Sequence, residues 1–303
     1  MSPTVSPGLF DPLPGVDVRR PILAIDIGGT KIAAGVVDHF GHLHDRVQVK
    51  TPKATGSAEL FSAVADLVRR FGSFEQFDRC GVGCGGPMSI DGEAVSPLNI
   101  PAWRAFRLAD ELRLLTGLAV GVDNDAKALA LAEGWVGAGV GCENFMAMVV
   151  STGVGGGIVL DGRLLDGASG NAGHIGHVVV DPSGQELPGH VRGVLEGEAS
   201  GTAIAFRTGA DAADASSVEI ERVGQLVGRA VGSTVNLLDL ERCFVAGSVA
   251  LGYGAPFFAA AQLEIDRVCQ LDHSRGFIIE PAGCGDEGPL VGAAAVARFL
   301  RCT

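Results

Sequence analysis

The chain has 303 residues, of which 47% are apolar and 19% are charged, and its formal net charge is −12. This length and apolar content allow one large core or two moderate cores. The negative charge argues against nucleic acid as a partner, because phosphate backbones attract basic surfaces.

The sequence carries no pattern typical of export or membrane insertion. Residues 1–20 contain four prolines and little apolar periodicity, which predicts a disordered arm rather than a signal peptide. No apolar run is long enough to span a bilayer, and the seven cysteines are scattered without a C-x-x-C pair. We therefore expect a cytoplasmic protein without a membrane partner or a disulfide framework.

Apolar periodicity predicts strands and helices that alternate along the chain. In the first half we expect strands near residues 22–28, 32–38, 44–50, 80–84 and 119–122, and helices near 57–71, 106–116 and 125–137. In the second half we expect strands near 145–151, 155–160, 243–247 and 277–280, and helices near 215–238, 253–270 and 288–301. The second half therefore repeats the plan of the first.

Two halves of this kind, each a mixed sheet covered by helices, predict an α/β protein with a central cleft between two domains. We place a small N-terminal domain at residues 21–122, rejoined by the last helix at 289–303, and a larger C-terminal domain at 123–288. A ligand bound in such a cleft could close it.

The turn after the first strand has the composition of a phosphate-binding hairpin. It contains Asp26, Gly28, Gly29, Thr30 and Lys31. The glycines let main-chain N–H groups approach phosphate oxygens, the threonine and lysine add a hydroxyl donor and a cation, and the aspartate can hold a hydrated divalent ion. A second strand follows the turn and no G-x-x-x-x-G-K-[ST] occurs, which disfavours a Walker-type site. The alternative is that the glycines serve only the turn.

A second glycine cluster also joins two strands. It contains Thr152, Gly153, Gly155 and Gly156. Two such hairpins facing one another across the cleft could hold the phosphates of one nucleotide from both sides. A third small-residue turn, at Gly247 and Ser248, follows an apolar strand and precedes a helix. It could let adenosine lie against the backbone, or it could simply connect strand and helix.

A general base is the next requirement, and Asp125 is the candidate because a strand ends and a helix begins there. Backbone donors and the helix dipole keep a carboxylate ionised at that position, and an ionised carboxylate beside an alcohol can accept its proton. The alternative is an ordinary N-cap at Asp123, Asn124 or Asp125. The run Gly81–Gly86 matches G-x-G-x-x-G, but a proline follows at once where a dinucleotide-binding fold requires a helix.

Together these motifs resemble those of the ROK family (repressors, uncharacterised reading frames and kinases), within the hexokinase and actin superfamily, over residues 21–300. Residues 26–31 resemble the family's first phosphate motif, residues 152–157 its second, and residues 124–126 the segment with its catalytic aspartate. The resemblance implies two actin-like (RNase H-like) domains, ATP and Mg²⁺ as cofactors, and a dimer or tetramer. Asp125 would deprotonate a sugar hydroxyl, most often O6 of glucose or a related hexose, which attacks the γ-phosphate in line.

Several polar residues match family positions that contact the sugar. They are Asn99, Asn124, Asp125, His174, His177 and Glu196. Many members have a glutamate where this chain has His174, and the histidine changes both charge and reach. The run Gly173–His177 is similar to that of bacterial N-acetylmannosamine kinases, whereas the loop Asn99–Trp103 is more similar to that of glucokinases. The acceptor hexose therefore stays open.

A second departure concerns metal. Members commonly hold a structural zinc with His177 and three cysteines in a C-x-C-G-x-x-G-C-L-E run, and the matching residues 187–196 contain no cysteine. Thiolate zinc sites need those sulfurs for four-coordinate closure. We therefore predict no structural zinc, and we expect packing alone to order the loop that carries Glu196.

The expected function is an ATP-dependent hexose kinase that binds a small-molecule sugar and ATP. An N-acetylmannosamine or N-acetylglucosamine kinase and a catalytically weak sugar-binding regulator are the alternatives. A repressor is disfavoured because residues 1–20 leave no room for a helix-turn-helix domain. A polyphosphate-dependent kinase is also possible, but Thr30 and Lys31 are similar to the ATP type.

Overall fold

The computed structural model describes residue 10 and residues 15–53, 56–187 and 191–299. Most of the predicted arm, namely residues 1–9 and 11–14, lies outside the described residues. The chain divides into two compact units. The first runs to Val140 and also takes in Asp166–Ala172 and the chain from Cys284, whereas the second consists of Gly141–Leu165 and Gly173–Gly283.

The elements alternate along the chain much as the periodicity predicts. The first half contains β1 (Ile22–Ile27), β2 (Lys31–Val37), β3 (Leu43–Lys50), α1 (Ser57–Val68), β4 (Arg79–Cys84), α2 (Leu108–Thr116), β5 (Ala119–Asn124) and α3 (Asp125–Val136). The second half contains β6 (Phe145–Val150), β7 (Val154–Leu160), β8 (Arg163–Leu164), α4 (Leu195–Ala199), α5 (Gly201–Thr208), α6 (Ser217–Leu238), β9 (Arg242–Ala246), α7 (Ser248–Tyr253), α8 (Ala255–Val268), β10 (Ile278–Pro281) and α9 (Gly288–Phe299).

The sheet of the first unit has the strand order β3-β2-β1-β4-β5. Strand β1 is antiparallel to β2 and parallel to β4, and β4 is parallel to β5. In this register Asp26 lies opposite Gly83, and Gly83 lies opposite Asp123. The carboxyl ends of β1, β4 and β5 therefore meet at one edge of the sheet, which is where ligands bind in open α/β sheets.

Helices cover both faces of this sheet because successive side chains point to opposite sides. Ile25 and its like-facing neighbours pack with α1 and α2, whereas Ala24 packs with α9. Gly81 permits the close approach of α9, since a Cβ there would stand 1.9 Å from the carbonyl oxygen of Ala293. Trp103 is fully buried and stacks on Phe106 at 4.6 Å, so this tryptophan packs its loop.

The sheet of the second unit repeats the arrangement with the order β10-β9-β6-β7-β8. Strand β6 is antiparallel to β7 and parallel to β9, as β1 is to β2 and β4. Helices α6 and α8 pack closely, because a Cβ on Gly228 would lie 2.3 Å from the carbonyl oxygen of Ala261. The predicted α/β class with two duplicated mixed sheets is confirmed.

Three details differ from the expected organisation. Helix α3 belongs to the first unit, since it packs on α9, so the chain passes to the second unit after Val140 rather than after residue 122. The single helix expected at 253–270 is α7 and α8, divided at Gly254 with φ of 59°. Helices α4 and α5 lie where no helix is predicted from the periodicity. None of the helices in the described residues is long and apolar enough to cross a membrane.

Candidate active site

The turn between β1 and β2 forms the predicted hairpin of the first unit. The N–H of Gly28 donates to the carbonyl of Lys31 at 3.0 Å, which closes the turn. Thr51, just after β3, donates its hydroxyl to the carbonyl of Gly28 at 2.6 Å and its N–H to that of Thr30 at 2.9 Å. Residues 29–31 remain exposed. Thr51 thus fixes the main chain of the turn, while the side chains of Thr30 and Lys31 lie in solvent.

The loop with Asn99 lies directly against this hairpin. A Cβ on Gly29 would stand 2.8 Å from the Cβ of Asn99 and 3.2 Å from its carbonyl oxygen. Any side chain at position 29 would displace the loop, so the glycine serves a close approach as well as the turn. The structure therefore brings a predicted phosphate residue and a predicted sugar residue into contact within the first unit.

Asp26 and Asp125 meet over Gly83. A Cβ on Gly83 would lie 3.9 Å from Oδ1 of Asp26 and 3.7 Å from the Cα of Asp125, so no side chain separates the two acids. Burial and, to a smaller extent, the negative charge of Asp125 raise the pKa of Asp26 to about 7, against the smaller opposing effect of Lys31. Two carboxylates held together in this way form a site that would accept a cation or a proton.

The start of α3 explains how Asp125 is held. Oδ1 of Asn124 accepts a hydrogen bond from the N–H of Ala126 at 3.0 Å, and Oδ1 of Asp125 accepts from the same N–H at 2.9 Å. Asn124 is therefore the N-cap, and its side-chain oxygen is engaged there. Asp125 is the first residue of the helix, where the dipole favours its charged form.

Asp123 has a structural role instead. It is buried, and Nζ of Lys127 lies 3.1 Å from its Oδ1, 2.6 Å from Oδ1 of Asp166 and 3.2 Å from the carbonyl of Gly170. Burial raises the pKa of Asp123, and Lys127 opposes that rise. This cluster fixes Asp166–Ala172 to the first unit. Sequence reasoning missed Lys127 because its partner Asp166 is far away in the chain.

The turn between β6 and β7 is the corresponding hairpin of the second unit. Oε2 of Glu196 accepts a hydrogen bond from the N–H of Val154 at 2.7 Å, and a Cβ on Gly153 would lie 2.8 Å from the same oxygen. Thr202, at the start of α5, donates its hydroxyl to the carbonyl of Thr152 at 2.9 Å. Glu196, expected as a sugar ligand, therefore also holds the hairpin, and Thr202 is a contact that the sequence did not reveal.

The third small-residue turn packs behind this hairpin. Gly247 has a φ of 103°, and a Cβ there would lie 2.3 Å from the carbonyl oxygen of Val150, so only glycine fits. The hydroxyls of Ser248 and Ser151 are 3.0 Å apart and hydrogen-bonded. The predicted residues Gly247 and Ser248 thus lie beside the second hairpin, at the carboxyl ends of β6 and β9.

The histidine segment lies along β7. A Cβ on Gly176 would meet the carbonyl oxygen of Val154 at 2.3 Å, and a Cβ on Gly156 would lie 3.1 Å from the carbonyl oxygen of Gly173. The rings of His174 and His177 are 5.9 Å apart, and His177 is exposed, which excludes a buried core role for it. Within the second unit, the structure therefore gathers His174, His177, Glu196 and the hairpin.

Part of the run compared with the zinc motif, Pro188–His190, lies outside the described residues. Across the described part of the chain, no group of three or more His, Cys, Asp or Glu side chains could hold a metal ion. The loop around Glu196 is ordered by a buried polar network around Glu198 in addition to packing. The expectation that packing alone orders it is therefore wrong.

The comparison of sequence patterns decides the family. The pattern of the ROK family matches residues 22–299. The chain belongs to the ROK family. The motifs at Asp26–Lys31, Asn124–Asp125 and Thr152–Gly157 all lie within the matched residues.

Two relatives of this ROK chain carry different names. A glucokinase of Thermotoga maritima is 38% identical over 187 residues, which make up 60% of this chain and 58% of that enzyme. An N-acetylmannosamine kinase of Yersinia pseudotuberculosis is 36% identical over 250 residues, which make up 77% of this chain and 84% of that enzyme. The match to the glucokinase thus spans less than two thirds of its length.

Solved ROK structures share the fold. A ROK glucokinase from Streptomyces griseus, in complex with glucose and AMPPNP, superposes with a TM-score of 0.78 at 28% identity, over 91% of this chain and 99% of that one. A ROK transcriptional regulator superposes with a TM-score of 0.79 at 21% identity, over 91% of this chain and 77% of that one. At that identity the regulator shows a shared fold and no more.

We expect the purified protein to contain well under one zinc per chain, because all three matching cysteine positions hold other residues. Metal analysis after extensive dialysis without chelator measures this directly. A Cys-containing ROK kinase purified in parallel is the control and should retain its zinc. A content close to one zinc per chain would contradict the prediction.

Proposed function

We propose that this ROK chain is an ATP-dependent hexose kinase that phosphorylates a sugar hydroxyl, with O6 of glucose or a related hexose as the acceptor. The observation that carries the proposal is the position of Asp125, at the start of α3 and beside Asp26 at the carboxyl edge of the first sheet. The glucose and AMPPNP bound by the Streptomyces griseus relative support the same assignment.

Asp125 acts as the general base in this proposal. The helix start favours its ionised form, and the first-turn geometry fixes its backbone. It accepts the proton of the acceptor hydroxyl as that oxygen attacks the γ-phosphorus, and ADP leaves in line. Holding base, hydroxyl and phosphate in this order replaces a three-body encounter by a pre-arranged one.

We assign the phosphates of ATP to both hairpins. Gly29, Thr30 and Lys31 donate from the first, whose turn Gly28 closes, and Thr152, Gly153, Gly155 and Gly156 donate from the second, with Gly247 and Ser248 beside the nucleoside. Mg²⁺ fits the first unit, because Asp26 is buried next to another acid and accepts no hydrogen bond from any described residue. Asp26 would hold the ion through its water, and the ion would neutralise phosphate charge.

We assign the sugar contacts to the polar side chains that match family positions in the sequence. Asn124 uses its side-chain oxygen as the helix cap, so its amide nitrogen is the group for a sugar hydroxyl. Asn99 is held beside the first hairpin. His174, His177 and Glu196 supply the remaining polar contacts, as vicinal hydroxyls require paired donors and acceptors.

A second candidate is an N-acetylmannosamine or N-acetylglucosamine kinase. It is favoured by His174 and by the 36% identity to an N-acetylmannosamine kinase over 84% of that enzyme. An imidazole in place of a carboxylate offers ring nitrogens that can hydrogen-bond an acetamido group. We also expect a cytoplasmic homo-oligomer, a dimer or tetramer.

A coupled ADP-release assay tests both candidates. Glucose, mannose, N-acetylglucosamine and N-acetylmannosamine are the acceptors, and ATP and polyphosphate are the donors. We expect turnover with ATP and the highest kcat/KM with glucose. A preference of about tenfold or more for an N-acetylated hexose, the worth of one good polar contact, would favour the second candidate. No turnover with any pair would contradict both and favour a sugar-binding regulator.

A further inference from the structure

The loop that carries Glu196 has a buried acid two residues further on. Glu198 is fully buried in α4, whereas most glutamates are solvated unless they are paired. Its Oε1 accepts a hydrogen bond from the N–H of Gln185 at 2.5 Å. Its Oε2 pairs with the guanidinium of Arg222 on α6, and Arg207 on α5 lies 3.7 Å away.

Gln185 and Arg222 also connect the chain on either side of the loop through main-chain carbonyl groups. Gln185 donates its side-chain amide to the carbonyls of Gly197 and Ala203, and its own carbonyl accepts from the N–H of Gly193 at 3.1 Å. Arg222 also donates to the carbonyl of Glu198 at 3.3 Å. A Cβ on Gly184 would lie 2.2 Å from Oε1 of Glu198, so the carboxylate fills the space at the turn.

The direct consequence concerns Glu196. Glu196 and Glu198 lie on the same five-residue helix, and Glu196 reaches the N–H of Val154 in the second hairpin. A helix of this length has no stability of its own. Its position is therefore set by its packing in the core together with the bonds that hold Glu198, and the bond from Glu196 to the hairpin depends on that position.

We propose that Glu198, paired with Arg222 and bonded to Gln185, is a positioning residue that holds Glu196 on the second phosphate hairpin. The buried ion pair thus organises the short helix that carries Glu196. The proposal rests on the proposed kinase function for its kinetic consequence, but the Glu196–Val154 bond is testable without any activity.

The primary test is Glu198→Gln, which keeps the size and the acceptor for Gln185 but removes the charge that pairs with Arg222. Amide hydrogen exchange is followed by mass spectrometry on the peptide that contains Val154. Arg222 loses its buried charged partner in this variant, so the helix that carries Glu196 should be held less firmly. We therefore expect exchange of the Val154 N–H, which bonds to Glu196, to accelerate about tenfold. In the assay we expect the sugar KM to rise about tenfold while kcat changes less than threefold.

Glu264→Gln is the matched control in the same unit. Glu264 is also buried and pairs with Arg229 on α6 at 3.0 Å and with Arg267 on α8 at 3.4 Å. Both variants should lose stability, but the control should leave Val154 exchange and the sugar KM as in the parent. Equal changes in both variants would mean a general stability effect and would overturn the proposal.

Arg222 provides a second route if Glu198→Gln folds poorly. Arg222 is partly exposed, so Arg222→Met removes the partner at the edge of the network, and Arg222→Lys retains its charge. We expect Arg222→Met to accelerate Val154 exchange and Arg222→Lys to restore most of the protection. Unchanged exchange in Arg222→Met and Glu198→Gln would refute the positioning role, whereas absence of turnover in the parent would refute only the kinase.

Discussion

Asp125→Asn should lower kcat by roughly 10²–10⁴-fold, the usual worth of a positioned general base. The amide has the size of the carboxylate and can still accept from the N–H of Ala126, so the start of α3 should keep its geometry. What it cannot do is accept the proton of the sugar hydroxyl. We expect the sugar Kd to rise by at most about tenfold, because a neutral hydrogen bond replaces a stronger charged one.

The measurement is the coupled ADP-release assay with saturating ATP, together with sugar binding by calorimetry. Asp239→Asn is the control, because Asp239 is exposed with a φ of 55° that asparagine tolerates well. That variant should match the parent. If Asp125→Asn turned over within twofold of the parent, Asp125 could not be the base.

Asp26→Asn should stabilise the fold at neutral pH, although it removes a residue proposed to hold the metal. The pKa of Asp26 is about 7 in the folded chain, mainly because of burial and then because of Asp125, and 3.8 is its ordinary value. Between these values the folded chain binds more protons than the unfolded chain. The free energy of unfolding therefore falls as pH rises from 3.8 to 7, and the contribution of the protonated acid is lost above that range.

The expected difference in unfolding free energy follows from about 1.4 kcal/mol for each unit by which pH exceeds the ordinary pKa, up to the folded pKa. Asparagine stays neutral, so the variant should exceed the parent in unfolding free energy by ~2 kcal/mol at pH 5 and ~4 kcal/mol at pH 8. Denaturant titrations at both pH values, with EDTA present, measure this difference. Asp91→Asn is the control, because the pKa of Asp91 is lowered and its carboxylate is ionised at both pH values.

A variant advantage that stays constant from pH 5 to pH 8 would show that Asp26 is already ionised in the fold at pH 5. A growing advantage would mean that the chain gives up stability to keep two acids together. Such a cost is typical of functional sites, where the local arrangement serves the ligand rather than the free protein.

Much of the fold could be predicted because the signal is local. Apolar runs predicted β1 and β2, and the strand that resumes directly after the glycines predicted a hairpin rather than a P-loop. The same pattern at Val150–Val154 revealed the duplication. Both hairpins contain the residues that the sequence predicted, because each hairpin is formed by a short continuous segment of the chain.

The rest depends on partners that are distant in sequence. Helix α3 joins the first unit because it packs against α9, over 150 residues later. In the sequence Glu198 looks like an ordinary exposed glutamate, because its partner Arg222 lies on a later helix. Helix α4 has only five residues and is followed by Ser200 and Gly201, which indicate a turn rather than a helix. Periodicity has nothing to detect in such elements.

The packing of α9 on β1 and β4 has a consequence for synthesis of the protein. Ala24 and Gly81 are synthesised more than 200 residues before Ala293, which packs on them. One side of the N-terminal sheet therefore lacks this cover until that much more of the chain has been made. A premature stop before residue 288 would spare every β-strand and still leave the earliest part of the chain unable to finish folding.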